Sequence, residues 1–254
     1  AVIDNPDIAN FKIDFDHLCP MDRWLVEKIN DFVAKSDKNY GEYKSYLVVK
    51  DFEELVDDLT NFYIRVNRRR FWKSDDKKDQ LTAYACLYYA LKSMVQVMAP
   101  IVPFLSEHIW QNLVRGTEKN APESVMLSDF PQPVDVKSSG IVEKATLARD
   151  IIANALRLRN ENQLKIKQPL RTMYILSTDA VDSAVEAFED VIKDELNIKN
   201  IEFEHSTEKF NIPSLTVNFK TAGAVLKGNV QGFFKVLIAG MGGKHRNALT
   251  IIGK

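Results

Sequence analysis

Asp51-Phe-Glu-Glu-Leu-Val-Asp-Asp-Leu-Thr-Asn-Phe-Tyr-Ile-Arg-Val-Asn-Arg-Arg-Arg-Phe-Trp-Lys73 decides how the first half of this chain folds. Leu55, Leu59, Phe62 and Val66 recur at spacings of four, three and four, the period of one helix face. Five carboxylates (Asp51, Glu53, Glu54, Asp57 and Asp58) open the stretch, and Arg65, Arg68, Arg69, Arg70 and Lys73 close it. Acids near the amino end and bases near the carboxyl end suit the helix dipole, each by roughly 0.3–1 kcal/mol. The pattern predicts one helix over residues 44–72. The dipole does not account for two large aromatics, Phe71 and Trp72, inside the basic end. At about 100° per residue, Arg65, Arg68, Arg69 and Trp72 share one flank of the apolar stripe. On the same count Phe71 points away from the stripe. Arg70 and Lys73 fall on the core azimuth, so the helix is expected to run past its bundle there. Cations that hold phosphates beside rings on which bases stack are equipment for single-stranded nucleic acid. The competing reading is a solvated helix end with Trp72 packed against a neighbour.

Working outward, further helices are expected on both sides. Asp22 to Ala34 places Trp24, Leu25, Ile29 and Phe32 or Val33 at helical spacing. Ser74-Asp-Asp-Lys77 supplies an N-cap and acidic first-turn residues for a helix that carries Leu81, Tyr84, Leu87, Tyr88, Leu91, Met94, Val95 and Met98 and stops at Pro100. A short helix follows from Pro103 to Leu113, with Phe104 and Ile109 expected inside. Residues 117–138, with Pro122, Pro131 and Pro133, read as a long loop. The fifth helix, Ile141 to Asn160, has a narrow stripe of Ala145, Ala148, Ile152, Ala155 and Leu156. Long antiparallel helices with short links make a bundle. After residue 163 the pattern changes to a strand at Arg171–Ser177, a helix at Asp179–Leu196, and alternating strands at Ile198–Glu204 and Ser214–Phe219. That order implies a βαβ unit. The fold class is therefore α+β: a helical bundle over residues 1–163, then a small α/β appendage over residues 164–254.

The composition narrows the function. With 254 residues, 45% of them hydrophobic and 27% charged, the chain can bury real cores as a soluble protein. A formal net charge of −1 excludes a generally basic, histone-like binder, so any nucleic-acid surface is a local patch. Cys19 and Cys86 form no CxxC pair, which argues against a zinc ribbon or a disulfide framework and fits a reducing compartment. No stretch reaches the roughly 18 apolar residues of a membrane span. The opening Ala1-Val-Ile-Asp-Asn-Pro-Asp7 has no Met and no signal-peptide pattern, and reads as the interior of a longer protein.

Four motifs in order carry a resemblance: Met21-Asp-Arg-Trp-Leu25, Leu59-Thr-Asn-Phe-Tyr-Ile-Arg65, Arg68-Arg-Arg-Phe-Trp72, and Met98-Ala-Pro-Ile-Val-Pro-Phe-Leu-Ser-Glu-His-Ile-Trp110. They resemble the region downstream of the catalytic core in the isoleucyl-tRNA synthetase family. The valyl and leucyl enzymes share the bundle and the Ala-Pro-x-x-Pro-Phe segment. The Arg-Arg-Arg-Phe-Trp tract, Leu156-Arg-Leu-Arg-Asn-Glu-Asn162 and Ile166-Lys-Gln-Pro-Leu-Arg171 favour the isoleucine branch. The resemblance implies an anticodon-binding bundle whose partners are isoleucine-accepting tRNA and the catalytic and editing domains of the same chain. It implies neither DNA nor membrane contact, and a cytoplasmic location. The family's adenylate-forming signatures, a His-x-Gly-His turn and a Lys-Met-Ser-Lys-Ser loop, do not occur here. The expectation is that no residue of this chain is catalytic or metal-binding. ATP and magnesium would serve only the catalytic domain, and this part alone would be inactive. The tRNA-binding candidates are Arg65, Arg68, Arg69, Arg70, Phe71, Trp72 and Lys73, with a second basic tract of Arg157, Arg159, Lys165, Lys167 and Arg171. Trp72 and Phe71 are the expected stacking platforms. Two alternatives stay open: a valyl or leucyl module, and a protein-interaction bundle whose basic tract docks an acidic partner.

Other features invite bland readings. Gly240-Met-Gly-Gly-Lys244 lacks the spacing of a phosphate-binding loop, and His245 replaces the hydroxyl residue. Glu107-His108 has no nucleophile nearby in sequence and reads as the polar face of its helix. Trp24, Trp110 and the Tyr84, Tyr88, Tyr89 group read as packing.

Overall fold

The computed structural model describes residues 8, 11–74, 76–136, 139–206 and 249–251. The chain divides into two compact units, Ala1–Ala145 and Thr146–Lys254.

The first unit grows around helix α1 (Pro20–Gly41), longer than the expected Asp22–Ala34. Pro20 starts it where a missing N–H costs nothing. Met21, Trp24, Leu25, Ile29, Phe32 and Val33 are its buried face. Helix α4 (Lys77–Met98) packs against α1. Its Ala83, Cys86, Ala90, Ser93 and Val97 are all buried, a stripe of small side chains that lets two backbones approach closely. The N-cap of α4 is Asp76, which accepts from the amides of Lys78 and Asp79 at 2.9 and 3.2 Å, whereas the expected cap, Ser74, donates its hydroxyl to the Asp76 carbonyl. The carboxylate of Asp76 lies closer to the orphan amides and takes them.

The predicted single helix over 44–72 is interrupted. Helix α2 (Ser45–Asp58) passes into a π-helical turn, Leu59–Ile64. A break at Asn67 (φ −83°, ψ 9°) then precedes the six-residue helix α3 (Arg68–Lys73). A π turn accommodates one extra residue, so every azimuth beyond it rotates back by about 100° relative to an α-helical count. That rotation reverses the expected positions of Phe71 and Trp72. Leu55, Leu59 and Phe62 stay buried as the stripe requires, and Trp24 meets Phe62 edge to face at 5.0 Å.

Helix α5 (Pro103–Ile109) runs into a second π turn, Trp110–Val114. Trp110 is buried with Val95, Ala99, Val114 and Val125, and its indole N–H donates to the Pro122 carbonyl at 3.0 Å. Phe104, expected inside, is 91% exposed. Glu107 decides this orientation, since its carboxylate binds Ser124 Oγ and the Val125 amide at 2.8 and 3.0 Å. That contact turns the Glu107 side of α5 toward the loop. The loop is held at its far end by Asn30, which donates to the Val134 carbonyl and accepts from the Val134 amide and the Tyr89 hydroxyl.

Helix α6 (Ile141–Glu161) carries the chain into the second unit, with Ala145, Ala148, Ile152 and Ala155 buried and Leu156 exposed. There β1 (Leu170–Leu176), α7 (Asp179–Leu196) and β2 (Ile198–Glu204) form the expected βαβ unit. Strands β1 and β2 are parallel, with Leu170 opposite Ile198 and Leu176 opposite Glu204. A third parallel strand, β3 (Leu249–Ile251), pairs with the other edge of β1, giving the order β2-β1-β3. Thr178 caps α7, and Asn197 closes it in the left-handed conformation (φ 49°). Val185, Phe188 and Ile192 are the buried face of α7. The expected strand Ser214–Phe219 and the Gly240–Lys244 turn lie outside the described residues. Among the described residues, no helix is long and apolar enough to cross a membrane.

Candidate nucleic-acid interface

Helix α3 is too short to stand by propensity alone. Tertiary contacts at two consecutive residues hold it. The first is Phe71, only 6% exposed, whose ring lies 5.2 Å from Tyr84 and 6.2 Å from Tyr63. The Phe71 carbonyl accepts from the Tyr84 hydroxyl at 3.0 Å and from Gln80 Nε2 at 2.9 Å. Phe71, expected as an outward platform, is therefore a core residue, because the π turn upstream has swung it inward.

The second anchor is Arg70. Its Nε donates to Asp79 at 2.8 Å, Nη1 to Asp22 and Asn67 at 3.0 and 2.9 Å, and Nη2 to Asp22 and Asp79 at 2.8 and 2.6 Å. A guanidinium has five N–H donors, and all five are engaged within the protein. Burial works against the charge, but the bonds that Arg70 donates to Asp22 and Asp79 outweigh it and raise the Arg70 pKa. Arg70 thus has no N–H left over for a phosphate in this arrangement. Asp22 is fully buried and also accepts the Tyr63 hydroxyl at 2.7 Å. Burial, reinforced by the Asp22 charge, pushes the nearby Cys19 thiol up to about 11.

Trp72 takes the opposite course and is 65% exposed. The Arg68 guanidinium sits over its ring, 4.7 Å from the centroid. Such a contact restrains both side chains and is worth about 0.5–1 kcal/mol at an exposed site. Arg65, Arg68 and Arg69 are all exposed. The Lys73 side chain lies outside what the structure describes. At this end of the first unit the helix therefore displays an indole and three guanidiniums, while Arg70 and Phe71 fasten it from behind.

The second basic tract also separates into supports and exposed groups. Arg159 is 2% exposed, and its Nη2 donates to the carbonyls of Lys165 and Gln168 at 2.8 and 2.5 Å. Burial pushes its pKa down. Asn197 Nδ2 donates to the Ile166 carbonyl at 3.0 Å from the end of α7. Together they hold the Lys165–Gln168 turn, on which Lys165 and Lys167 are exposed, as is Arg171 on β1. Arg157 is exposed and paired with Glu161 at 2.6 Å. The expectation had placed Arg159 among the outward cations, whereas the structure puts it inside the turn.

Asp22 and Asn67 escaped the sequence reading. An acid in the first turn of a helix is ordinary, and no spacing marks it as the counter-ion of an arginine 48 residues away. A lone Asn in an arginine-rich helix was the one local sign of a break.

An exposed indole among guanidiniums at the end of a helical bundle defines a candidate RNA-binding module. The model of the family "anticodon-binding domain of tRNA ligase" matches residues 22–174, and the chain belongs to that family. It is similar to isoleucine–tRNA ligases: 36% identical over 207 residues to that of Chlamydia muridarum, covering 81% of this chain and 20% of that protein. The Chlamydia caviae enzyme is 38% identical over 80% of this chain and 19% of its own length. The Cytophaga hutchinsonii enzyme is 34% identical over 88% of this chain and 20% of its own. The chain thus spans about a fifth of the length of the curated relatives it matches.

Proposed function

We propose that this chain grips the anticodon arm of an isoleucine-accepting tRNA as part of an isoleucine–tRNA ligase. Trp72 stacks an unpaired loop base on the ring face away from Arg68. Arg65, Arg68 and Arg69 take phosphates or base edges, since the planar guanidinium fork suits both. The chain performs no bond chemistry; ATP and magnesium act in the catalytic part of the ligase. Its contribution is positional, because binding energy used far from the reacting atoms orients the acceptor end. The observation that carries this reading is the exposed Trp72 with Arg68 over its ring, beside the exposed Arg65 and Arg69.

Titration of an isoleucine anticodon stem-loop against the protein tests it. Trp72→Ala should weaken binding by about 1–3 kcal/mol, the range for one stacked base. Stem-loops of valine and leucine tRNAs should bind less tightly. Equal affinity for all three would remove the isoleucine assignment, and unchanged affinity after Trp72→Ala would remove the stacking role.

A further inference from the structure

We propose that Asp22 is a positioning residue for RNA binding. Its buried carboxylate holds Arg70 so that α3 presents Trp72 and Arg68 as a stacked pair. This rests on the anticodon-arm reading above. Asn67 leaves helical geometry just before the six residues of α3, so the contacts that α3 makes help to set its orientation. Arg70 lies two residues from both Arg68 and Trp72 and is clamped from three sides. Asp22 on α1 accepts from both Nη atoms at 3.0 and 2.8 Å, Asp79 on α4 binds Nε and Nη2, and Asn67 receives the second Nη1 bond. Asp22 is the innermost of these. Its side chain is fully buried, and Tyr63 Oη completes its shell at 2.7 Å. A carboxylate sealed in this way touches no RNA, yet through one guanidinium it ties α1 and α4 to the helix that carries the exposed indole.

The sign of the effect distinguishes this role from plain electrostatics. Asp22→Asn removes a negative charge. A protein that simply attracts phosphates would then bind RNA more tightly. Loss of the clamp predicts the reverse. The amide nitrogen of Asn would face donors, Arg70 would be released, and Trp72 would lose its fixed place.

The experiment uses the whole chain labelled with 5-fluorotryptophan. Its three resonances come from Trp24, Trp72 and Trp110, with Trp72 assigned by Trp72→Phe. Asp22→Asn is expected to move or broaden the Trp72 resonance while those of Trp24 and Trp110 stay in place. It is also expected to weaken binding of the isoleucine anticodon stem-loop by about tenfold or more. Arg70→Lys, which keeps the charge but loses the fork, should behave like Asp22→Asn. An unmoved Trp72 resonance with equal or tighter RNA binding overturns the proposal. If Asp22→Asn does not fold, Asp79→Asn, at the more exposed end of the clamp, carries the same two readouts. If the unaltered protein binds no stem-loop, the anticodon reading fails, and the Trp72 resonance alone then decides whether Asp22 positions α3.

Discussion

Phe71 and Trp72 are adjacent aromatics with opposite environments, and the difference sets what each substitution should do. Phe71 is packed between Tyr63 and Tyr84, so Phe71→Ala leaves a cavity and should cost about 3–5 kcal/mol. Trp72→Ala removes a ring that is mostly in water and gives up little more than its contact with Arg68. Thermal denaturation should therefore show a large drop in midpoint for Phe71→Ala and a small one for Trp72→Ala. In stem-loop binding measured well below both midpoints, Trp72→Ala should weaken the complex although it barely moves the midpoint. A large fall in midpoint for Trp72→Ala would mean that its ring is used for packing, and the stacking argument would lose its basis. The two arginines beside them divide the same way. Arg70 spends every N–H on the protein, whereas Arg68 lies over the indole with its edge open to solvent.

At the scale of elements, the sequence made the apolar stripes and the order of helices and strands legible. Leu55, Leu59 and Phe62 are buried at their predicted spacing, and β1, α7 and β2 fall within a residue of expectation. Local periodicity encodes these features, so they can be read without tertiary knowledge. The π turn at Leu59–Ile64 could not be read, because it changes no residue type and only slips the phase. Every azimuth computed beyond it was therefore displaced, and with it the roles of Arg70 and Phe71. The orientation of α5 was equally hidden, since the partners of Glu107, Ser124 and Val125, come from a loop without period. The Glu107 carboxylate is held below its ordinary pKa by hydrogen bonds from Gln111 first, then Ser124 and the Val125 amide. A carboxylate with a depressed folded pKa adds stability above its unfolded pKa and loses it as pH falls through the folded value. The midpoint of thermal unfolding should decline more steeply with acidification below the ordinary glutamate range in the unaltered protein than in Glu107→Gln. Parallel declines for the two proteins would show that Glu107 contributes no acid-sensitive linkage between α5 and the loop.

For the molecule as a whole, the near-zero net charge makes salt dependence informative. A generally basic protein would lose RNA affinity with salt whatever it touched. With a formal charge of −1, a steep dependence has to come from cations brought together on the surface. For single strands, the slope of log affinity against log salt is about −0.7 per neutralised phosphate. If only Arg65, Arg68 and Arg69 meet phosphates, the expected slope is about −2; if Lys165, Lys167 and Arg171 of the second unit also engage, it approaches about −4. Intact isoleucine tRNA offers a longer surface than the stem-loop, so the steeper slope is expected for the tRNA and the shallower one for the stem-loop. Replacing Lys165, Lys167 and Arg171 together by Ala should then bring the tRNA slope down to the stem-loop value and leave the stem-loop slope unchanged. Arg159→Met, which removes the clamp under the Lys165–Gln168 turn without removing an exposed cation, should weaken tRNA binding and leave stem-loop binding intact. If tRNA and stem-loop give one shared slope that the triple substitution does not alter, the second unit contributes nothing to RNA affinity, and its basic turn is a solvated surface.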